Sequence, residues 1–144
     1  MNMRAISPVI ATVIIVSVAI AIAVAVAFWM TGITGLFTRY EKLEVISAYA
    51  TWEDAHNRWK ITVKVKNTGT SDATIDEIFI NGVPRGDVDE FTGLDISLPY
   101  TLTTGQEKTI TFYLQSDGFK HGVIVEIKLH TASGNEYPKS VQLP

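Results

Sequence analysis

The stretch AISPVIATVIIVSVAIAIAVAVAFWMTGITGLFT, residues 5–38, contains no Asp, Glu, Lys or Arg. As an α-helix rising about 1.5 Å per residue, it would be roughly 50 Å long. The hydrocarbon core of a bilayer needs only about 20 apolar residues, and a removable secretory signal has an apolar core of about 7–15. The stretch is therefore long enough to cross a membrane with turns to spare, and too long for a simple cleaved signal.

The residues at its two ends favour a helix. Ser7 suits the N-cap position, because its hydroxyl can accept a hydrogen bond from a backbone N–H one turn on, and Pro8 suits the first helical position. Gly32 and Gly35 are expected to loosen the last turns. The alternation from residue 20 to residue 27 resembles a strand period, but both of its members are apolar, so it does not favour a strand.

Small residues recur within this predicted helix. Ala19, Ala23 and Ala27 are four residues apart, and we expect Ala21 and Ala25 beside them. Such a seam lets helices approach closely in surroundings where the hydrophobic effect cannot drive their association. The sequence therefore predicts helix–helix packing here, although alanine as an ordinary apolar filler is the alternative.

The charges that flank the helix do not orient it in a membrane. Arg4 and the α-amine precede it, while Arg39 and Lys42 follow it, so the positive-inside rule favours neither direction. Phe28 and Trp29 fit the headgroup level of a membrane, where aromatic rings are enriched, but they fit packing between helices equally well.

Composition excludes several classes of function. The 144 residues leave room for one compact domain after the helix, and the lack of cysteine excludes disulfides and thiolate metal sites. A net charge of −3 argues against a nucleic-acid-binding protein, which needs a basic face. His56, His121 and His130 lack metal-ligand spacing, and no nucleophile–base pattern or phosphate loop is present. The sequence predicts no enzyme, no metal and no cofactor.

Residues 43–144 show the two-residue period of half-buried strands. The clearest runs are 59–66, 109–115 and 123–130, and weaker ones are 43–49, 74–80, 96–102 and 136–143. Residues typical of turns separate them. Seven short strands after one long helix predict an α+β protein with an antiparallel, immunoglobulin-like β-sandwich.

Some local features are also predicted. The alternation breaks at Asp76–Glu77, which indicates a β-bulge, and Asn81–Gly82 predicts a hairpin turn with both residues at positive φ. Pro84 argues against a long strand after that turn, so residues 83–94 are predicted to form a loop. Its four acidic residues could offer oxygen ligands to calcium, but their spacing fits no known twelve-residue loop, which favours a solvated loop. The tripeptide Arg85-Gly86-Asp87 is interpreted as a turn.

The N-terminal residues resemble those of archaeal type IV pilins over roughly the first 38 positions. The family begins with a short basic leader, then a serine–proline–valine–isoleucine motif and a long apolar helix. Here Arg4-Ala5 precedes Ser7-Pro8-Val9-Ile10. The resemblance implies that residues 1–5 are a class III signal peptide that a prepilin peptidase removes. The residues of this processing site are Arg4, Ala5 and Ile6, with Ile6 as the new N-terminus; cleavage between Arg4 and Ala5 is the alternative.

The resemblance also implies an arrangement of the chain. Residues 6–38 would form the filament core, residues 39–42 a joint near the hinge glycines Gly32 and Gly35, and residues 43–144 an outward head. The chain is then expected to be a subunit that polymerises with itself into an extracellular helical filament used for adhesion. Its precursor would wait in the cytoplasmic membrane for the pilus assembly machinery. The alternatives are a monomeric, signal-anchored binding module at the cell surface, and an archaellum-type or minor pilin subunit.

Overall fold

The computed structural model describes residues 6–144, which divide into two compact units that meet between Arg39 and Tyr40. The first unit contains one continuous helix, α1, Ile6–Phe37, of 32 residues. Its Val and Ile residues are mediocre helix formers in water, but in apolar surroundings a helix satisfies every interior backbone group within the segment. Arg4 and Ala5 of the predicted processing site lie outside the described residues.

The second unit, Tyr40–Pro144, is called the head and consists of two antiparallel sheets. Its described strands are β1 Leu43–Glu53, β2 Arg58–Asn67, β3 Ala73–Ile80, β4 Val83–Pro84, β5 Phe91–Thr92, β6 Tyr100–Leu102, β7 Glu107–Gln115, β8 Ile124–Thr131 and β9 Glu136–Gln142. Sheet one has the order β1-β2-β7-β5. Sheet two has the order β4-β3-β8-β9, and β6 also pairs with β3. An α+β protein with one long N-terminal apolar helix and antiparallel sheets is thus confirmed.

Both sheets share one hydrophobic core, built by the predicted alternation. Every second residue of β2 is buried, from Trp59 to Val65, and β7 and β8 follow the same rule. Burial of each large side chain contributes about 1.5–3 kcal/mol. Val123 departs from the prediction, since it lies in the turn before β8 and is 41% exposed.

Two local predictions are confirmed in the backbone. The pairing of β3 with β8 shifts register between Ile75 and Glu77, which is the predicted bulge. Asn81 and Gly82 have φ angles of 52° and 81° and join β3 to β4, so both central residues of the hairpin turn are left-handed.

Two predicted boundaries are wrong. The strand predicted over 96–102 shrinks to Tyr100–Leu102, because Pro99 has no N–H to donate to a neighbouring strand. The loop predicted over 83–94 contains the two-residue strands β4 and β5, and the Arg85–Asp87 tripeptide forms a short 3₁₀ helix between them.

Asn67 organises the loop between β2 and β3. Its side chain is buried, with Nδ2 donating to the carbonyl oxygens of Ser71 and Leu102, both at 2.9 Å. Its Oδ1 accepts from the Gly69 N–H at 2.9 Å. All three bonds hold residues 68–71 in one shape.

That loop in turn binds the residues at the start of the head. The N–H of Thr68 donates to the Lys42 carbonyl and the N–H of Thr70 to the Tyr40 carbonyl, both at 2.9 Å. Glu41 is held from another side, by the hydroxyl of Ser133 and by Tyr137. Residues 40–42, which belong to the predicted joint, are therefore hydrogen-bonded into the head.

Gly69→Ala is expected to destabilise the head by about 1–3 kcal/mol, the usual cost of overpacking. A Cβ at Gly69 would lie 2.6 Å from both the Lys42 nitrogen and the Tyr40 carbonyl oxygen, so backbone has to move. Urea unfolding of the detergent-solubilised chain, followed by tryptophan fluorescence, measures the effect. Gly86→Ala is the matched control, because a Cβ there meets nothing within 4 Å. Equal midpoints for the two variants would contradict the prediction.

Candidate assembly helix

Helix α1 is the most apolar surface in the described part of the chain. Within residues 6–144, it is the one helix long and apolar enough to cross a membrane, over Ser7–Phe37, and none of its most apolar stretch is buried against the rest of the chain. Ile15 is 68% exposed and Leu36 is 77% exposed. Exposure of so much apolar surface to water is unfavourable, so lipid or other protein must cover it.

The hydroxyl groups of α1 are satisfied within the helix. Thr12 donates to the Pro8 carbonyl at 2.6 Å, Ser17 to the Val13 carbonyl at 2.7 Å and Thr34 to the Met30 carbonyl at 2.7 Å. Thr31 donates to the Ala27 carbonyl in the same way. These side chains therefore need no water, and every side of the helix tolerates an apolar environment.

The continuous helix divides the predicted alanine seam into two. Successive residues turn by about 100°, so Ala19, Ala23 and Ala27 share one side, which we call seam one. Two residues further on is about 200° around the axis. Ala21 and Ala25 therefore lie on the opposite side, with Ser17 and Gly32, and form seam two. The expectation that they lie beside seam one is wrong.

Bulky side chains separate the two seams. Ile20 and Val24 lie on one side between them, and Ile22 and Val26 lie on the other, all roughly half exposed. The helix is consequently narrow from seam to seam and wide across the branched residues. Close helix approach is possible on two opposite sides. Projecting the alternation from residue 20 to residue 27 onto a helix gives this result from the sequence, but reading it only as a failed strand pattern missed it.

The other helix residues of the predicted site occupy defined places. Ser7 and Pro8 are the second and third described residues of α1. Gly32 and Gly35 lie inside the helix, and a Cβ at either would meet nothing within 4 Å, so no contact in the chain itself requires glycine there. Their predicted role as a hinge stays a prediction.

The outer face of sheet one carries paired charges. The Nε of Arg58 lies 2.5 Å from the Glu53 carboxylate, and its guanidinium carbon is 3.7 Å from the centre of the Tyr113 ring. Glu107 lies between Lys64 at 2.9 Å and Lys66 at 3.4 Å. Hydrogen bonds from these cations lower the pKa values of Glu53 and Glu107 below the ordinary 4.5.

Acid should remove the contribution of Glu107 to head stability. Its pKa is depressed in the folded head, so its stabilising effect is present above pH 4.5 and is lost as pH falls through the lowered pKa. We expect Glu107→Gln to be less stable than the unmodified chain at pH 7 and equal to it at the acid end. Urea midpoints measured from pH 7 down to pH 3 test this. A difference that stays constant over that range would contradict it.

Other residues that the sequence singled out have structural contacts. Arg85 of the tripeptide is 3.0 Å from the Glu77 carboxylate, and Asp95 accepts the Thr111 N–H at 2.9 Å. Trp59 is buried and Trp52 packs edge-on against it, with ring centres 4.7 Å apart. Over residues 6–144, no three His, Asp or Glu side chains meet as a candidate metal site.

A scan of the chain against protein-family models finds no match, and no curated protein shows significant similarity to it. Function must therefore be inferred from the residues themselves.

Proposed function

We propose that this chain is a structural subunit of an archaeal type IV pilus-like filament. Copies of α1 pack together as the filament core, and the heads form the outer surface, which serves adhesion to cells or solid supports. The observation that carries this proposal is that α1 is apolar on every side, with its described hydroxyls bonded internally. Neighbouring helices on all sides would cover such a surface completely.

The two seams favour an open-ended polymer over a closed pair. A helix with a single small face is typical of dimers, because two copies cover each other's seam. Here a second small face, with Ala25 at its centre, remains available on the far side of Ala23. Seam one of one copy can pack against seam two of the next. Contacts between different faces repeat without closing and produce a helical fibre.

The proposed head is an immunoglobulin-like β-sandwich. Its support is the sharing of one core by two antiparallel sheets, with strands of about 7–11 residues forming both centres. β1 and β9, each at one edge of a sheet, lie next to each other. β4, β5 and β6 are only two or three residues long, and short edge strands discourage pairing between heads.

The precursor is proposed to lie in the cytoplasmic membrane, where lipid covers α1 until assembly. An apolar N-terminal helix of this length is compatible with a membrane anchor or a signal. By the resemblance, a prepilin peptidase would remove residues 1–5 and leave Ile6 at the N-terminus, and an assembly machine would then move the subunit from lipid into the filament.

Shearing of cells that produce the chain tests this proposal. We expect the chain in the sheared filament fraction, with the N-terminal mass of a chain that begins at Ile6. A chain that stays in the membrane fraction with an intact N-terminus would contradict the proposal and would identify a monomeric, anchored binding module instead.

A further inference from the structure

Helix α1 is longer than the membrane that the precursor would cross. Its 32 residues span about 48 Å at the usual rise, whereas the hydrocarbon core is about 30 Å thick and needs about 20 residues. The common tilt of about 20° shortens the helix's reach by only a few Å. Roughly a third of α1 must therefore lie outside the hydrocarbon.

Charge limits where the embedded part begins. Arg4 lies just before the described helix, and a charged side chain is costly inside the hydrocarbon. The embedded part therefore starts near Pro8 in the sequence. Counting about 20 residues from there places its other end near Ala27.

The residues after Ala27 change character at that point. Phe28 and Trp29 follow directly and are 75% and 65% exposed. Indole and phenyl rings are enriched at the headgroup level, where an apolar ring meets a polar layer. After them come two threonines and two glycines within five residues, which suits a segment outside the hydrocarbon: Thr31, Gly32, Thr34 and Gly35.

We infer that Phe28 and Trp29 mark the boundary of the membrane-embedded part of the precursor, with their rings among the phospholipid headgroups. Residues 30–37 then lie beyond the hydrocarbon. The inference rests on the membrane-held precursor of the proposed function and concerns a lipid surface, not the filament. Its consequence is that assembly must withdraw about 20 residues from lipid rather than all 32 of α1.

A cysteine scan can locate this boundary, because the chain has no cysteine of its own. Full-length single-cysteine variants are placed in phosphatidylcholine vesicles and treated with a membrane-impermeant maleimide. Arg39→Cys is the exposed reference, and labelling in SDS shows that every thiol is reactive. We expect Leu36→Cys to react within about tenfold of the reference, and Val24→Cys at least about a hundredfold more slowly, because hydrocarbon excludes the reagent. Equal rates for Val24→Cys and Leu36→Cys, whether fast or slow, would overturn the inference.

The aromatic residues need their own test. In an Ile33→Cys background, Trp29→Tyr keeps an interfacial ring, so labelling should stay unchanged. Trp29→Leu removes the anchor and lets the helix sink, so labelling should fall severalfold. Unchanged labelling in Trp29→Leu would assign the ring to helix packing and overturn the inference, while the filament proposal stands. A chain absent from the membrane fraction would overturn the precursor itself.

Discussion

Ala23→Phe is expected to abolish filament assembly. Ala23 lies at the centre of seam one, where a close neighbour has room only for a methyl group. A phenyl ring there would push packed helices apart over several residues, and the lost contacts are the ones that hold helices together when apolar area gives no driving force. Phenylalanine is equally at home in lipid, so the precursor should still insert into the membrane and accumulate there.

Matched variants separate the seams from the rest of the helix. Ile22→Phe adds an aromatic ring of the same size on a bulky side, and assembly should stay within about twofold of normal, since volume there changes modestly. Ala25→Phe tests seam two and should block assembly as strongly as Ala23→Phe. Quantification of the sheared filament fraction against the membrane fraction measures all three. Filaments from Ala23→Phe in normal amount would show that the seam is incidental, and an effect of Ala23→Phe alone would indicate a closed pair through one seam.

Asn67→Asp is expected to destabilise the head by about 3–5 kcal/mol. The carboxylate keeps the acceptor for the Gly69 N–H but loses both donors, so it faces the carbonyl oxygens of Ser71 and Leu102 as a buried charge. Two buried carbonyls lose a partner at the same time. The loop that holds Tyr40 and Lys42 should loosen as a result.

Urea unfolding of the detergent-solubilised chain tests this, with two further variants for comparison. Asn67→Ala removes the bonds without adding charge and should cost about 2–4 kcal/mol. Asn57→Asp makes the same chemical change at an exposed residue with φ of 52°, where aspartate is tolerated, and should stay within about 1 kcal/mol of the unmodified chain. A midpoint for Asn67→Asp equal to that of Asn57→Asp would contradict the assigned role of Asn67.

Where one period dominates, the sequence predicts the structure well. An uncharged stretch as long as residues 5–38 has few alternatives to a helix, and the strict alternation of β2 leaves its buried face in no doubt. The bulge at Asp76 and the turn at Asn81 were predictable for the same reason, since each interrupts a clear period with a residue suited to the interruption.

Features that depend on distant residues were not predictable in this way. Asn67 was identified as a turn residue, but its carbonyl partner at Leu102 lies 35 residues away, and nothing local indicates that pairing. The strands β4 and β5 are too short to show a period. The contact of Glu41 with Ser133 depends on the sheet topology, which alternation alone does not determine.

The candidate site lies between these cases. The sequence located the helix and its alanines, and the spacing of four residues was enough to identify seam one. Seam two needed the alternation to be projected onto a continuous helix, because Ala21 and Ala25 adjoin Ala23 in sequence but not in space. Which face meets which neighbour depends on a second copy, and no pattern within one chain determines that.

The central claim is that α1 is covered permanently by other copies of α1 rather than by lipid. Electron cryo-microscopy of filaments sheared from the cell surface tests it most directly. We predict a core of α1 helices in which each helix approaches one neighbour along Ala23 and another along Ala25, with the β-rich heads outside. Surfaces that carry only single copies, each with α1 still embedded in lipid, would contradict the account.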